Sequence, residues 1–162
     1  MIIALIVCII LIVALYLNIR TSYPKVKMSF KESMDLVGLS IITFYSNKTK
    51  LHFLLDTGAD NSSFEKTFID IVPHIDLPNY KGSITTAGGH QIETDIAYIR
   101  MFYGERSYEG YFQLMDMTPI SEAIGLTIKG EKVHIAGVIG CDFLTKYQYV
   151  LDFDKMVIYS KK

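Results

Sequence analysis

A small all-β domain is what the sequence predicts, on three observations. Short runs rich in β-branched and aromatic residues recur at 39–45, 51–55, 91–103, 108–115, 132–139, 149–153 and 156–159. Turn-forming clusters separate them: Ser46-Asn47-Lys48, Gly88-Gly89, Gly104-Glu105-Arg106 and Asp154-Lys155. The strand–helix–strand spacing of a parallel sheet is missing, so the pattern reads as a closed or sandwich-like β domain.

The first apolar segment is no strand. Residues 1–17 carry no charged side chain and are almost wholly Ile, Leu, Val, Ala and Met; Tyr16 sits near the end, and Asn18, Arg20, Lys25 and Lys27 follow. As a helix, this run with its flank nearly crosses a bilayer core of ~30 Å. The expectation is one transmembrane anchor over 1–20. A cleaved signal peptide competes, but a basic leading region and a small-x-small site are both missing, and the apolar run is long. A buried core helix also competes, but a helix apolar all round is hard to bury in so small a domain. The charges follow the run and none precedes it, which favours a single-pass membrane protein with a cytoplasmic domain. An outward-facing domain stays open.

Residues 21–37 are mixed and polar and read as a tether with a first edge segment. The domain proper is expected over 38–162. Residues 39–45 and 51–55 form a hairpin, and the second strand runs directly into Asp56-Thr57-Gly58. Residues 62–71 read as a short strand and a turn of helix, stopped by Pro73. Residues 83–86 and 91–103 flank Gly88-Gly89 as a hairpin tip. Strands at 108–115 and 132–139 follow, with one or two helical turns at 119–124 between them. A short helix at 142–147 precedes the last hairpin.

Composition excludes several functions. Lys plus Arg is 16 and Asp plus Glu is 17, for a net charge of -1, so no global field gathers a polyanion and nucleic acid is not an expected partner. Cys8 and Cys141 make no disulfide framework, and His52, His74, His90 and His134 share no metal spacing. No metal and no cofactor is expected. Residues 137–140 are no phosphate loop, because no Gly-Lys-Ser or Gly-Lys-Thr follows. Mean hydropathy is +0.27, high for a soluble domain, and 1–17 is its source.

Two stretches carry the chemistry. In Leu54-Leu55-Asp56-Thr57-Gly58-Ala59-Asp60 a carboxylate stands at the exit of an apolar strand. Thr57 adds a hydroxyl, and Gly58 permits a tight turn and close backbone approach. Strand-Asp-x-Gly turns are common, and most are only turns. Far along the chain, Val138-Ile139-Gly140-Cys141-Asp142-Phe143-Leu144 is an apolar pair and a glycine before a helix start. Alone it reads as a buried strand with Asp142 near a helix N-terminus.

Taken together, and with Ala87-Gly88-Gly89 between them, these pieces resemble the retropepsin-like aspartic proteases, the one-lobe retroviral-type enzymes, here as a membrane-anchored member of bacterial type. The resemblance spans about 39–159. It implies a single-lobe acid-protease fold, an all-β closed domain behind the transmembrane helix. It implies Asp56, Thr57 and Gly58 as the catalytic loop. Ala59, Asp60, Ala87, Gly88 and Gly89 would contact a peptide substrate, and Val138, Ile139, Gly140 and Asp142 would support the site. The implied reaction needs two carboxylates and the chain offers one such loop, so a homodimer is expected to complete the site. In the viral enzymes an arginine stands where this chain has Cys141, and it braces the counterpart of Asp60; that brace is missing or replaced here. The function expected is an aspartic endopeptidase. The alternative is a catalytically silent domain of the same fold that binds peptide or serves as a membrane-tethered interaction module.

Overall fold

The computed structural model describes residues 8–13, 26–85, 89 and 91–160. The chain order is β1 (Lys27–Ser29), α1 (Lys31–Val37), β2 (Ile41–Ser46), β3 (Thr49–Leu55), β4 (Ser63–Glu65), a 3-10 helix (Lys66–Ile71), β5 (His74–Thr85), β6 (Gln91–Tyr103) and β7 (Arg106–Met115). Then come α2 (Thr118–Ile124), the two-residue strands β8 (Thr127–Ile128) and β9 (Glu131–Lys132), β10 (Ile135–Ile139), α3 (Cys141–Lys146), β11 (Tyr149–Asp152) and β12 (Val157–Ser160).

Six strands close into a barrel in the order β2-β3-β10-β4-β7-β6, and Tyr45 against Phe102 joins β6 back to β2. The β3–β10 and β4–β7 pairs are parallel and the other neighbours antiparallel. β5 hangs on the outside of β6 as the second strand of a long hairpin arm. A separate sheet, β1-β12-β11, ties the start of the domain to its end.

Alternation along the strands fills the barrel with aromatic rings. Phe44, Phe53, Phe64, Phe112 and Phe143 are all essentially buried. Their centroids lie 5.7 to 6.2 Å apart in a chain of edge-on, tilted and stacked contacts. A second apolar layer, Ile41, Leu126, Val133 and Ile135, lies among Leu54, Ile120 and Ile124, where α2 packs against the barrel.

Two sequence expectations are corrected here. The fold is not all-β. Besides the helix at 8–13, three helices and a 3-10 helix make it a mixed α/β fold on a six-stranded barrel. The segment expected as a tether with a first edge segment holds the strand β1 and also the helix α1. Gly38 ends α1 with φ 71°, and the buried Ser33 hydroxyl donates to Leu39 O and accepts from Ile41 N–H. These contacts join α1 to β2, and short polar sequences show no apolar periodicity that would announce them.

The transmembrane helix expected over 1–20 is the second correction. Among the described residues no helix is long and apolar enough to cross a membrane. The described part of that span, 8–13, is helical, with exposed side chains. The rest of 1–20 lies outside the described residues. Apolar composition suggested a span, but a span needs helical length as well. The membrane as partner and the single-pass localisation with a cytoplasmic domain rested on that helix, and no described helix supports them.

Glu65 joins two elements from inside. Its carboxylate accepts from Thr67 N–H and Thr67 Oγ1–H, both at 2.9 Å, and from Met117 N–H at 2.7 Å, just before α2. Burial would raise its pKa, but the hydrogen bonds from Thr67 and Met117 outweigh burial and hold it below the ordinary carboxylate value. A depressed folded pKa stabilises above the unfolded pKa, and that stabilisation is lost as pH falls through the folded value. Glu65→Gln is therefore expected to cost about 1–2 kcal/mol near neutral pH. The difference from wild type should shrink as pH falls below the usual glutamate range, read by urea denaturation of both proteins at neutral and at acid pH.

Candidate active site

β3 ends at Leu55 and the chain turns sharply. Asp56 N–H donates to Ile139 O at 3.1 Å, which pins the turn to β10. Gly58 N–H donates to Asp56 Oδ1 at 2.8 Å, so the backbone fixes the carboxylate's direction while the residue itself stays exposed. Ala59 N–H reaches back to Asp56 O at 3.3 Å and closes the turn.

The strand behind this loop is β10, with Val138 beside Leu54 and Ile139 beside Leu55. Its last residues lace the loop down. Cys141 N–H donates to Ala59 O at 2.8 Å and Asp142 N–H to Asp60 O at 3.1 Å. Gly140 lets the two backbones touch: a Cβ there would lie 2.7 Å from Asn61 C and 2.8 Å from Ala59 O. The Cys141 thiol donates to Thr57 O at 3.2 Å. So the thiol steadies the turn at Thr57, and Asp60 is held through its backbone carbonyl by Asp142.

Ser62 is fully buried and ties both pieces. Its hydroxyl donates to Asp142 Oδ1 at 2.7 Å and accepts from Gly140 N–H at 3.0 Å. Ser62→Ala leaves that N–H without its partner and costs about 1–3 kcal/mol. A fall in Tm of about 5 °C follows for a domain of this size, measurable by thermal melting beside wild type.

A cleft of about 480 Å³ opens over the loop. Asp56, Gly58, Ala59, Asp60 and Val138 line it, so the structure gathers five of the residues singled out from sequence. Thr57 is exposed on the turn. Ile139 points into the barrel core, Gly140 is buried backbone, and Asp142 stands behind the loop on α3. Ala87 and Gly88 lie outside the described residues. Gly89 is described, exposed and at φ +79°. The last described pair of the arm is Thr85 with Gln91.

Sequence reasoning missed the other walls. Ser83, Ile84 and Thr85 enter from β5, Ser63 from β4, Gln113 and Met115 from β7, and Ile120 from α2. The only local sign was a glutamine between Phe112 and Leu114 in an apolar strand. The histidines are held elsewhere. His52 Nδ1 meets Thr43 Oγ1 at 2.9 Å, and burial lowers its pKa. His74 Nδ1 meets Val72 O, and His134 packs on the Phe68 ring. His90 lies outside the described residues. Among the described residues no group of three His, Cys, Asp or Glu side chains could hold a metal ion.

Fold and loop together define a small barrel domain with one backbone-held carboxylate at the floor of an open cleft. No family model matches the chain, and no curated protein matches it. Membership of the retropepsin-like family, with the membrane-anchored bacterial type attached to it, is thereby corrected. The motifs that suggested it are three short pieces in a chain of 162 residues, and strand-Asp-x-Gly turns and glycine hairpins arise in many folds.

Proposed function

We propose that this domain is an aspartic endopeptidase, hydrolysing peptide bonds through water with one Asp56 from each of two copies. The observation that carries the reading is the Asp56 carboxylate, exposed in the cleft and aimed by Gly58 N–H. Among the described residues it makes no hydrogen bond to a second carboxylate of its own chain. General acid–base hydrolysis of an amide needs a base and an acid together, so the second group comes from another copy.

Two such carboxylates share one proton, because both cannot ionise comfortably side by side. The ionised one takes a proton from water as the water oxygen bonds to the scissile carbonyl carbon. The protonated one gives its proton to the carbonyl oxygen, and a tetrahedral diol forms. The diol collapses when the C–N bond breaks. The nitrogen takes the proton gained from water, and the diol's hydroxyl proton returns to the carboxylate pair, which restores the starting state. The open cleft beside β5 leaves room for an extended peptide, with the arm along one side.

A peptide-library digest with the purified full chain tests the reading, wild type beside Asp56→Asn. Cleavage by wild type alone supports it. Binding without cleavage would instead favour the silent peptide-binding domain, a reading to which the single Asp-Thr-Gly loop per chain lends support.

A further inference from the structure

The wall of the cleft below the arm is polar where the sheet pattern calls for apolar side chains. Val138 on β10 pairs with Ser63 on β4, and Ser63 pairs with Gln113 on β7. Cross-strand partners face the same side of a sheet. All three line the cleft, and all three are buried. Their row continues to Leu54 on one side and Ile96 on the other. A row that begins and ends apolar thus carries a hydroxyl and an amide at its centre.

These polar groups are held in place but not used up. Gln113 is fixed through its backbone, where its N–H donates to Ser62 O at 3.0 Å. Its side-chain amide is pressed between the arm and the barrel. A Cβ on Gly82 would meet Gln113 Nε2 at 2.7 Å, so the glycine leaves the amide room in its present position. Nε2 makes a long bond to Ser83 O at 3.4 Å. Among the described residues Gln113 Oε1 accepts from nothing, and Ser63 Oγ has no side-chain hydrogen bond. Among the described residues the charged side chains lining the cleft are Asp56 and Asp60, both acidic, with no lysine or arginine.

Resting on the endopeptidase reading, we infer that this subsite selects an uncharged amide side chain, asparagine or glutamine, within two residues of the cleaved bond. An amide offers one acceptor and two donors, which matches a serine hydroxyl and a glutamine carbonyl side by side. An apolar side chain seated there strips water from Ser63 and Gln113 and returns no hydrogen bond, and buried polar groups left unpaired are what makes such sites selective. An acidic side chain meets Asp60 and Asp56. A basic one is drawn by those same carboxylates, so its exclusion rests on the cost of shedding its hydration beside the neutral groups of Ser63 and Gln113.

The test uses the full chain and peptides that differ at one position, with Asn, Gln, Leu, Asp or Lys placed in turn at each of the two residues on either side of the bond. At one position, kcat/KM for the Asn or Gln peptide should exceed that for Leu by about 10- to 100-fold. Gln113→Leu should bring that ratio to about one or below, mainly by raising the Leu rate. Ser63→Ala, a smaller change, should lower the ratio in the same direction should Gln113→Leu fail to fold. A loss of rate common to all peptides would mark Gln113 as merely structural and overturn the inference, as would a preference for Leu, Asp or Lys in wild type. Cleavage without an amide preference sinks this inference alone. No cleavage of any peptide, or cleavage that persists in Asp56→Asn, sinks the endopeptidase reading and this inference with it.

Discussion

Asp56→Asn is expected to lower peptide cleavage by about a thousandfold or more, with the fold left intact. The reason for both halves lies in one contact. Gly58 N–H donates to Asp56 Oδ1 at 2.8 Å, and an asparagine side-chain carbonyl accepts that bond as well. The other bonds of Asp56 are made by its backbone atoms, Asp56 N–H to Ile139 O and Ala59 N–H to Asp56 O, and no substitution of the side chain removes them. What the amide lacks is the ability to take a proton from water. In wild type, activity should follow a bell in pH whose two limbs belong to the pair of carboxylates together. The check is kcat/KM for one fluorogenic peptide across pH, with denaturation curves of both proteins alongside. Activity retained in Asp56→Asn would end the proposal.

The largest structural effect is expected at Gly137. A Cβ there would stand 2.1 Å from Ser63 O and 2.8 Å from Phe53 Cε1. Neither neighbour can yield, because Ser63 O belongs to the paired backbone of β4 and Phe53 is fully buried in the barrel. Gly137→Ala should therefore cost about 3 kcal/mol or more, at or beyond the top of the usual overpacking range. Against a typical total of about 5–15 kcal/mol, that removes much of the domain's stability. Gly38→Ala serves as the control. Its Cβ would meet nothing within 4 Å, although φ is +71°, so only backbone strain of about 1–2 kcal/mol applies. Urea denaturation of both variants should rank them in that order.

The contrast between these two glycines marks what the sequence could and could not say. Gly38 stands at the end of a polar segment that composition alone marks as a break before the domain. Gly137 looks like one more small residue in an apolar run, and its role appears only when β10 lies between β3 and β4. Asp56 at the exit of an apolar strand was legible, because strand, turn and carboxylate are neighbours in the chain. Ser63 and Gln113 were not, since 50 residues separate them and only the parallel β4–β7 pairing brings them together. An edge segment was expected where β1 lies, but not its pairing, because the partner β12 lies at the other end of the domain. The first half of β5 was hidden by Pro73 and Pro78. The register slips between Asp76 and Lys81, and Pro78 falls inside that slip, where no paired N–H is demanded of it. The two broadest expectations failed by the same route, reading structure from short local signals. A charge-free run suggested a membrane span that no described helix is long enough to make. Three short motifs suggested a family that no family model supports.

A site shared between two copies makes a quantitative demand, and mixing tests it most directly. Wild-type and Asp56→Asn chains are unfolded together, refolded at constant total concentration, and assayed on one peptide as the wild-type fraction is varied. If each site takes one carboxylate from each copy, a mixed pair is inactive and activity follows the square of the wild-type fraction, about one quarter at an equal mixture. Activity that falls in simple proportion, to about one half at the same mixture, would mean that a single chain holds the whole site and would contradict the account.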